Sequence, residues 1–590
     1  ASEAASVWLD GRLDDDGAMA LDIRFHNLST DRELVDKLDE GGEIWRALQP
    51  TVTLDGRLLL EREREDAPLE RSGLLTVHGG CLQPKSLPLP FRHVTGTIRL
   101  DGRDQVFLER LTAMAELPPD TERGSGANRV EISGPVDLAA GRAELTVVAR
   151  GVNVGESMLK AVPDVGEKIW DQVRPTGLVS AQGKVTYDAE REGGPLTGSG
   201  VLTVHGARAR PKAFPLPFKN VTGTIRIEGL DSLFLERLTA TAELPADPDH
   251  GRGANHVEIS GPLAPGSGRA DLTVKAHNVN VGERLLKAVP HVGKVLWAEA
   301  QPRGLASLSG RITYDKERED PVDFLLETEF YEVDLEPAGL DLPVKALAGR
   351  ALISDTQAVS DDFTAITCHG QVSGSLVTRY GPSGEYPTYA ATLRLRRLDL
   401  SQLPAVARGK KSEVAGVISG VVELGGVLGS RTGLSAEGTL TLERGRLWNM
   451  PFFGGLVNVL HLQLAAPRET SQEGEARFRY VGGEVDVERF EVTGGGLDIT
   501  GHGTINRNRE LDMVLVVVGT ESRGKGIPIV SRLVGWLLRA AEGELFRVNV
   551  SGTIDEPKYS PEFLGYVTWP LTSLRNVFRN IIYGSAQVPD

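Results

Sequence analysis

The sequence predicts a mainly β chain with one short helical segment per repeat. The expected form is a tandem-repeat, elongated antiparallel sheet curved into an open groove, with stacked β-sandwiches as the alternative. Three observations carry this. Blocks of sequence recur at a fixed spacing, which is the signature of a repeat architecture. Apolar and polar residues alternate with period two inside each block. The 68 Gly and 33 Pro in 590 residues are spread along the chain at regular intervals, as many short strands joined by turns require.

The repeats come first. Val94-Thr-Gly-Thr-Ile-Arg99 recurs letter for letter as Val221–Arg226, an offset of 127. Pro88–Phe91 recurs as Pro215–Phe218, Phe107–Ala113 as Phe234–Ala240, and Val130–Pro135 as Val257–Pro262, all at the same offset. Later blocks diverge but keep the order: Glu488-Arg-Phe-Glu-Val492 follows Glu236–Ala240, and Leu497–Gly501 follows Val257–Gly261. The expected divisions are residues 1–150, 151–277, 278–400 and 401–560, followed by a C-terminal amphipathic segment, 561–590. At about five strands per unit, the chain should hold roughly 22 to 25 strands.

Within a block, Val94, Gly96, Ile98 and Leu100 fall on one side of a strand, and Thr95, Thr97 and Arg99 on the other. Leu272 and Val274 alternate with Asp271, Thr273 and Lys275, and Leu497 and Ile499 with Asp498 and Thr500. A face half apolar and half solvated belongs to antiparallel strands, and a one-residue slip would turn every apolar side chain outward. The candidate apolar face comprises Val94, Ile98, Leu100, Val130, Ile132, Val221, Ile225, Ile227, Val257, Ile259, Leu272, Val274, Leu440, Leu442, Leu497 and Ile499. A second sheet would bury it in a sandwich; an open sheet would leave it to line a groove and would need a ligand in water.

Each early block also carries a helical stretch. Leu159, Val162, Val165, Ile169 and Val173 recur at spacings of three and four, as do Leu285, Val289, Val292 and Leu296, and less cleanly Leu34, Leu38, Trp45 and Leu48. Pro163 and Pro290 interrupt the pattern and should each start a second short helix. Trp45, Trp170 and Trp297 read as core packing.

The net charge of -16 excludes nucleic acid as a partner, because phosphate binding needs a concentrated basic surface. The basic run Arg408-Gly-Lys-Lys411 reads as a solvated loop. Cys81 and Cys368 do not match by repeat position, and no Cys/His cluster has zinc spacing. Glu109-Arg110 and Glu236-Arg237 read as ion pairs on the solvated face. His78 and His205 read as turn residues before Gly, without the acid and nucleophile of a triad. Arg523–Pro528 lacks the order of a phosphate loop. The expectation is a non-enzymatic protein without cofactor or metal. The absence of an opening Met and of a spanning segment reads as a fragment of something longer.

The order of pieces resembles the AsmA-like superfamily of TamB/YhdP-type envelope proteins. The resemblance rests on Gly200–Gly206, Pro217–Arg226, and a closing run of Leu497–Ile505, Leu511–Val518, Ile527-Pro-Ile-Val530 and Val548–Ile554. It implies an apolar groove that conducts phospholipid acyl chains between membranes, or an outer-membrane assembly scaffold. It further implies a periplasmic place in a bacterial envelope, an inner-membrane anchor outside this chain, and envelope protein partners. At the C-terminus, Leu571, Leu574, Phe578, Ile581 and Ile582 recur at helical spacing beside Trp569, Arg575 and Arg579. Residues 570–583 are therefore expected to form a helix that lies on a membrane surface.

Overall fold

The computed structural model describes residues 5–15, 17–30, 49–84, 89–117, 126–162, 166–188, 190–191, 196–212, 214–229, 231–289, 293–337, 342–380, 387–403, 415–428, 430–447, 451–460, 471–494, 497–519 and 544–566. Its 28 strands belong to one open antiparallel sheet. Two compact units divide the chain: residues 1–245, 252–279 and 307–326, and residues 246–251, 280–306 and 327–590.

Strands of the first unit are β1 (Ser6–Leu13), β2 (Met19–Ser29), β3 (Thr51–Arg62), β4 (Glu70–Leu82), β5 (Phe91–Asp101), β6 (Gln105–Ala115), β7 (Arg129–Asp137), β8 (Arg142–Val154), β9 (Gly177–Asp188), β10 (Leu196–Ala209), β11 (Phe218–Gly229), β12 (Ser232–Ala242), β13 (His256–Ala264) and β14 (Arg269–Val281). Each pairs antiparallel with the next. Strands β15 (Arg303–Asp315) and β16 (Val322–Leu335) carry residues of both units. The second unit continues with β17 (Val344–Ser354), β18 (Gln357–Thr367), β19 (Gly370–Arg379), β20 (Thr388–Asp399), β21 (Val417–Val427), β22 (Ser430–Gly445), β23 (Gln472–Val481), β24 (Glu484–Gly494), β25 (Leu497–Ile505), β26 (Leu511–Gly519), β27 (Glu544–Gly552) and β28 (Pro557–Tyr566), again paired in chain order.

The 127-residue repeat is visible element by element. Strand β7 (129–137) becomes β13 (256–264), and β8 (142–154) becomes β14 (269–281). Helices α1 (Glu156–Ala161) and α2 (Gly166–Val173) become α3 (Glu283–Ala288) and α4 (Gly293–Ala300). The repeat from β5 to β10 holds six strands rather than five, so the chain has more strands than the sequence estimate allowed. The helical stretch is two helices, the second described from Gly166 and Gly293; Pro163 and Pro290 lie outside the described residues. The first helix of each pair is short but well charged. Glu156 and Lys160 pair at 2.6 Å, Glu283 and Lys287 at 2.5 Å, with the acid in the first turn and the base in the last.

Strict alternation breaks at one recurring place. Leu108 lies opposite Ile98 while Arg110 lies opposite Thr97, so Glu109 is an extra residue. The same shift occurs at Glu236-Arg237 against Thr224 and Ile225, and at Glu488-Arg489 against Arg477 and Phe478. This β-bulge puts two consecutive charged residues on the solvated side and returns Leu111 and Leu238 to the apolar side. The strand opposite must come close. Gly96 and Gly223 sit at φ +148 and +142, where a Cβ would lie 1.8 Å from the carbonyl oxygens of Arg110 and Arg237. Only glycine satisfies both the backbone angle and the approach.

Candidate functional site: the apolar face of the first unit

Residues directly opposite each other across a ladder share a face. Leu75 lies opposite Ile98, and Ile98 opposite Leu108. Leu111 faces Ile132, and Ile132 faces Val147. Further along, Val130, Ala149, Ala181, Leu202, Ile225 and Leu235 form one unbroken row across β7 to β12. Leu238, Ile259 and Val274 continue beside it to β14. Leu100 aligns with Gly73 and Val106, Ile227 with Gly200 and Leu233, Val257 with Ala240 and Ala276, and Val221 with Ala207. Val94 joins the face through its packing with Val52, Val77 and Ile98, and Leu272 lies beside Gly261. All twelve first-unit residues named from the sequence therefore lie on one face.

Burial on that face is graded along the strands. Near the helix end, Ala161 and Met158 of α1 pack with Val152, Val179, Val204 and Ala207 in a small core. Val94 and Val257 are also buried. Toward the other strand ends, Leu100, Val106, Val136, Leu145, Ile227, Leu233 and Leu263 stay only half-buried. The outcome is a register-continuous apolar surface that is packed at one margin and accessible at the other.

The reverse face is a lattice of weak polar pairs. Thr95 and Thr112 share a hydroxyl hydrogen bond of 2.8 Å, as do Thr222 and Thr239. Arg99 lies over the Phe107 ring at 4.2 Å and Arg226 over Phe234 at 4.9 Å. Arg110 pairs with Glu131, and Arg237 with Glu258, both at 3.1 Å. Exposed pairs of this kind contribute about 0–1 kcal/mol each and hold register more than stability. Arg57 and Arg24 hold the Asp22 carboxyl down at about 2. The backbone N–H of Asn27 holds Asp55 below the ordinary carboxylate range, helped by His78 and His26, each 2.8 Å from Asp55 Oδ2.

His78 and His205 are thus strand residues, not turn residues; His205 Nε2 lies 3.0 Å from the Ser180 hydroxyl. A β-bulge lies at each histidine, so the ring and the following glycine interrupt the alternation of the strand. Trp170 and Trp297 are half-buried rather than core, and Arg303 sits 5.9 Å over the Trp297 ring. No group of three His, Cys, Asp or Glu side chains among the described residues forms a metal-holding cluster. No described helix is long and apolar enough to cross a membrane.

In the C-terminal block of the second unit, β24 to β28, the corresponding face is closed. Helix α5 (Pro451–Val459) packs Leu456 onto Phe490, Leu497, Ile499, Leu515, Val517, Val548 and Val550. Leu497 and Ile499 are 0% and 1% exposed, so these two candidates are core and not accessible surface. Leu440 is half-buried opposite Gly420 and Ala476, and Leu442 packs at the margin of the same core. Trp45, Arg408–Lys411, Arg523–Pro528 and the membrane-contact candidates Trp569, Leu571, Leu574, Arg575, Phe578, Arg579, Ile581 and Ile582 lie outside the described residues.

Val147, Ala149 and Leu202 also belong to the face and alternate with period two, whereas Leu108, Leu111, Leu235 and Leu238 escape period-two counting. The recurring Leu-Glu-Arg-Leu, with its two leucines three apart, is the signal that would have found four of the β6 and β12 positions. No family model, curated protein or solved structure matches this chain.

Proposed function

We propose that the apolar face of the first unit binds lipid acyl chains, and that the protein moves phospholipid along this face without catalysing a reaction. One observation carries the reading: a register-continuous apolar surface across β3 to β14 whose residues away from the helix end stay half-exposed. Contiguous exposed apolar surface is unfavourable in water and is tolerated where a ligand covers it. Each methylene laid on such a surface contributes about 0.8 kcal/mol, so a few turns of an acyl chain suffice for useful affinity. The phosphate headgroup stays in water at the accessible strand ends. Such a surface acts by burial alone and needs no general base, nucleophile or metal. The setting that fits is the periplasm of a bacterial envelope, with a donor and an acceptor membrane.

The test pairs Ile98→Asp with Ile225→Asp and measures fluorescent phospholipid transfer between vesicles. Removing one half-buried isoleucine contact and adding a charge should weaken lipid binding by about 2 kcal/mol per site, or more than tenfold. Thr97→Asp and Thr224→Asp, on the opposite face, should transfer as the parent does. Unchanged transfer in the isoleucine double variant would sink the proposal.

A further inference from the structure

The solvated face of the second unit holds a charge anomaly. Arg394, Arg396 and Arg397 are all exposed on β20, and no carboxylate lies within ion-pair distance of any of the three guanidinium groups among the described residues. Arginines three strands along the same face are matched: Arg477 pairs with Glu488 at 2.9 Å and Arg479 with Glu437 at 3.4 Å. A bulge between Leu395 and Leu398 turns both Arg396 and Arg397 to this side. The nearest acid in sequence, Asp399, is occupied otherwise. It accepts from the Ser401 N–H at 2.9 Å and hydroxyl at 2.7 Å, and stands 4.0 Å from His369. The sequence reinforces the anomaly: residues 394–411 hold Arg394, Arg396, Arg397, Arg408, Lys410 and Lys411 against the single acid Asp399, in a chain of net charge -16.

The residues directly opposite Arg394 and Arg396 are uncharged, and the exposed Glu423 lies one pair further along, opposite Thr392. Arg394 lies opposite Ser373 on one side and Val421 on the other, and Val421 is 44% exposed. Arg396 lies opposite Gln371, which faces Ile366, itself 51% exposed. The Arg397 N–H donates to the Ser419 hydroxyl at 3.0 Å, placing a second small polar residue beside the group. Arginines without acid partners, flanked by exposed aliphatic side chains and hydroxyls, match the layers of a phospholipid surface. Guanidinium and hydroxyl meet phosphate, while Val421 and Ile366 reach the upper acyl region. An acidic protein partner would satisfy the charges but would gain less from the two aliphatic side chains.

We infer that Arg394, Arg396 and Arg397 form a docking site for an anionic phospholipid membrane, on the solvated face and independent of the acyl-binding face. Flotation of the full chain with vesicles of phosphatidylcholine, alone or mixed with phosphatidylglycerol, tests it. The parent should float with the mixed vesicles only, and less as salt screens the charges. The triple variant R394Q/R396Q/R397Q should lose about 100-fold in partition coefficient, at about fivefold per residue. The triple lysine variant should keep most of the binding. Should the glutamine triple fail to fold, each single variant is expected to lose about fivefold. Ile98→Asp with Ile225→Asp should dock as the parent does, which separates this site from the lipid-transfer reading. Equal flotation of parent and glutamine variants, or no preference for phosphatidylglycerol, would overturn the inference. So would a parent that ignores these vesicles yet binds soluble polyglutamate, which would point to an acidic protein.

Discussion

The first unit and the C-terminal block of the second are built from the same strand-and-bulge pattern but treat their apolar faces in opposite ways. Between β24 and β28 the face is sealed: Leu497, Leu515, Val517 and Val548 are each 0% exposed beneath α5. Between β3 and β14 the helices sit at one margin, and residues such as Ile98, Leu100 and Ile227 stay half-buried. One pattern thus supports two energetic roles. A covered face supplies stability, and an uncovered face leaves part of its burial free energy for a ligand. The difference arises from the helix laid over the strands, not from the strands themselves.

The largest expected contrast is in core truncation. Leu515→Ala should cost about 3 kcal/mol, because a sealed leucine leaves a cavity, whereas Ile227→Ala should cost about 1 kcal/mol. Urea unfolding followed by a probe in each unit reads both. Equal costs would erase the distinction. The bulge, by contrast, is common to both regions. Gly134 and Gly503 lie opposite the residue that precedes each bulge, Leu108 and Val487, at φ +139 and +148 with a carbonyl oxygen within 2.2 Å of an added Cβ, so Gly134→Ala and Gly503→Ala should both destabilise by about 1–3 kcal/mol. A cost at only one of them would show that the bulges are not equivalent.

A smaller effect is confined to the sealed region. The Tyr559 hydroxyl donates to the Phe452 carbonyl of α5 at 2.5 Å, and burial pushes its pKa up from 10.0 to about 12. A raised folded-state value means that this contribution is complete below pH 10 and is lost as the pH climbs toward 12. Tyr559→Phe should cost about 1 kcal/mol at neutral pH and flatten that alkaline loss. The smallest effect belongs to the exposed end of the first unit. Asp22 is lowered from 3.8 to about 2, so its contribution is present above pH 3.8 and fades as the pH falls toward 2. Asp22→Asn should remove that shallow acid limb and leave the alkaline one untouched.

Much of the fold was legible because period two and a 127-residue repeat are local signals. Thr95 to Leu100 alternate as the strand requires, and Leu75, Ile98 and Leu108 fall opposite one another across the ladder. The bulges were not legible, since Glu109-Arg110 breaks alternation and looks like mere surface charge until the opposite strand is known. The candidate face was readable residue by residue, but its accessibility was not. Leu497 and Ile98 carry the same sequence pattern, and only the placement of α5 makes one core and the other surface. The histidines failed for a related reason: whether His78 sits in a turn or meets Asp55 depends on a strand 23 residues earlier.

The central claim is that one face of the first unit, and not the other, touches lipid. Site-specific photocrosslinking reads this directly, with a photoreactive side chain placed in turn at Ile98, Ile225 and Val274 and at their neighbours Thr97, Thr224 and Thr273. Purified from cells and irradiated, the protein should carry phospholipid adducts by mass spectrometry at the first three positions and none at the second three. Adducts at both sets alike, or at neither, would contradict the account.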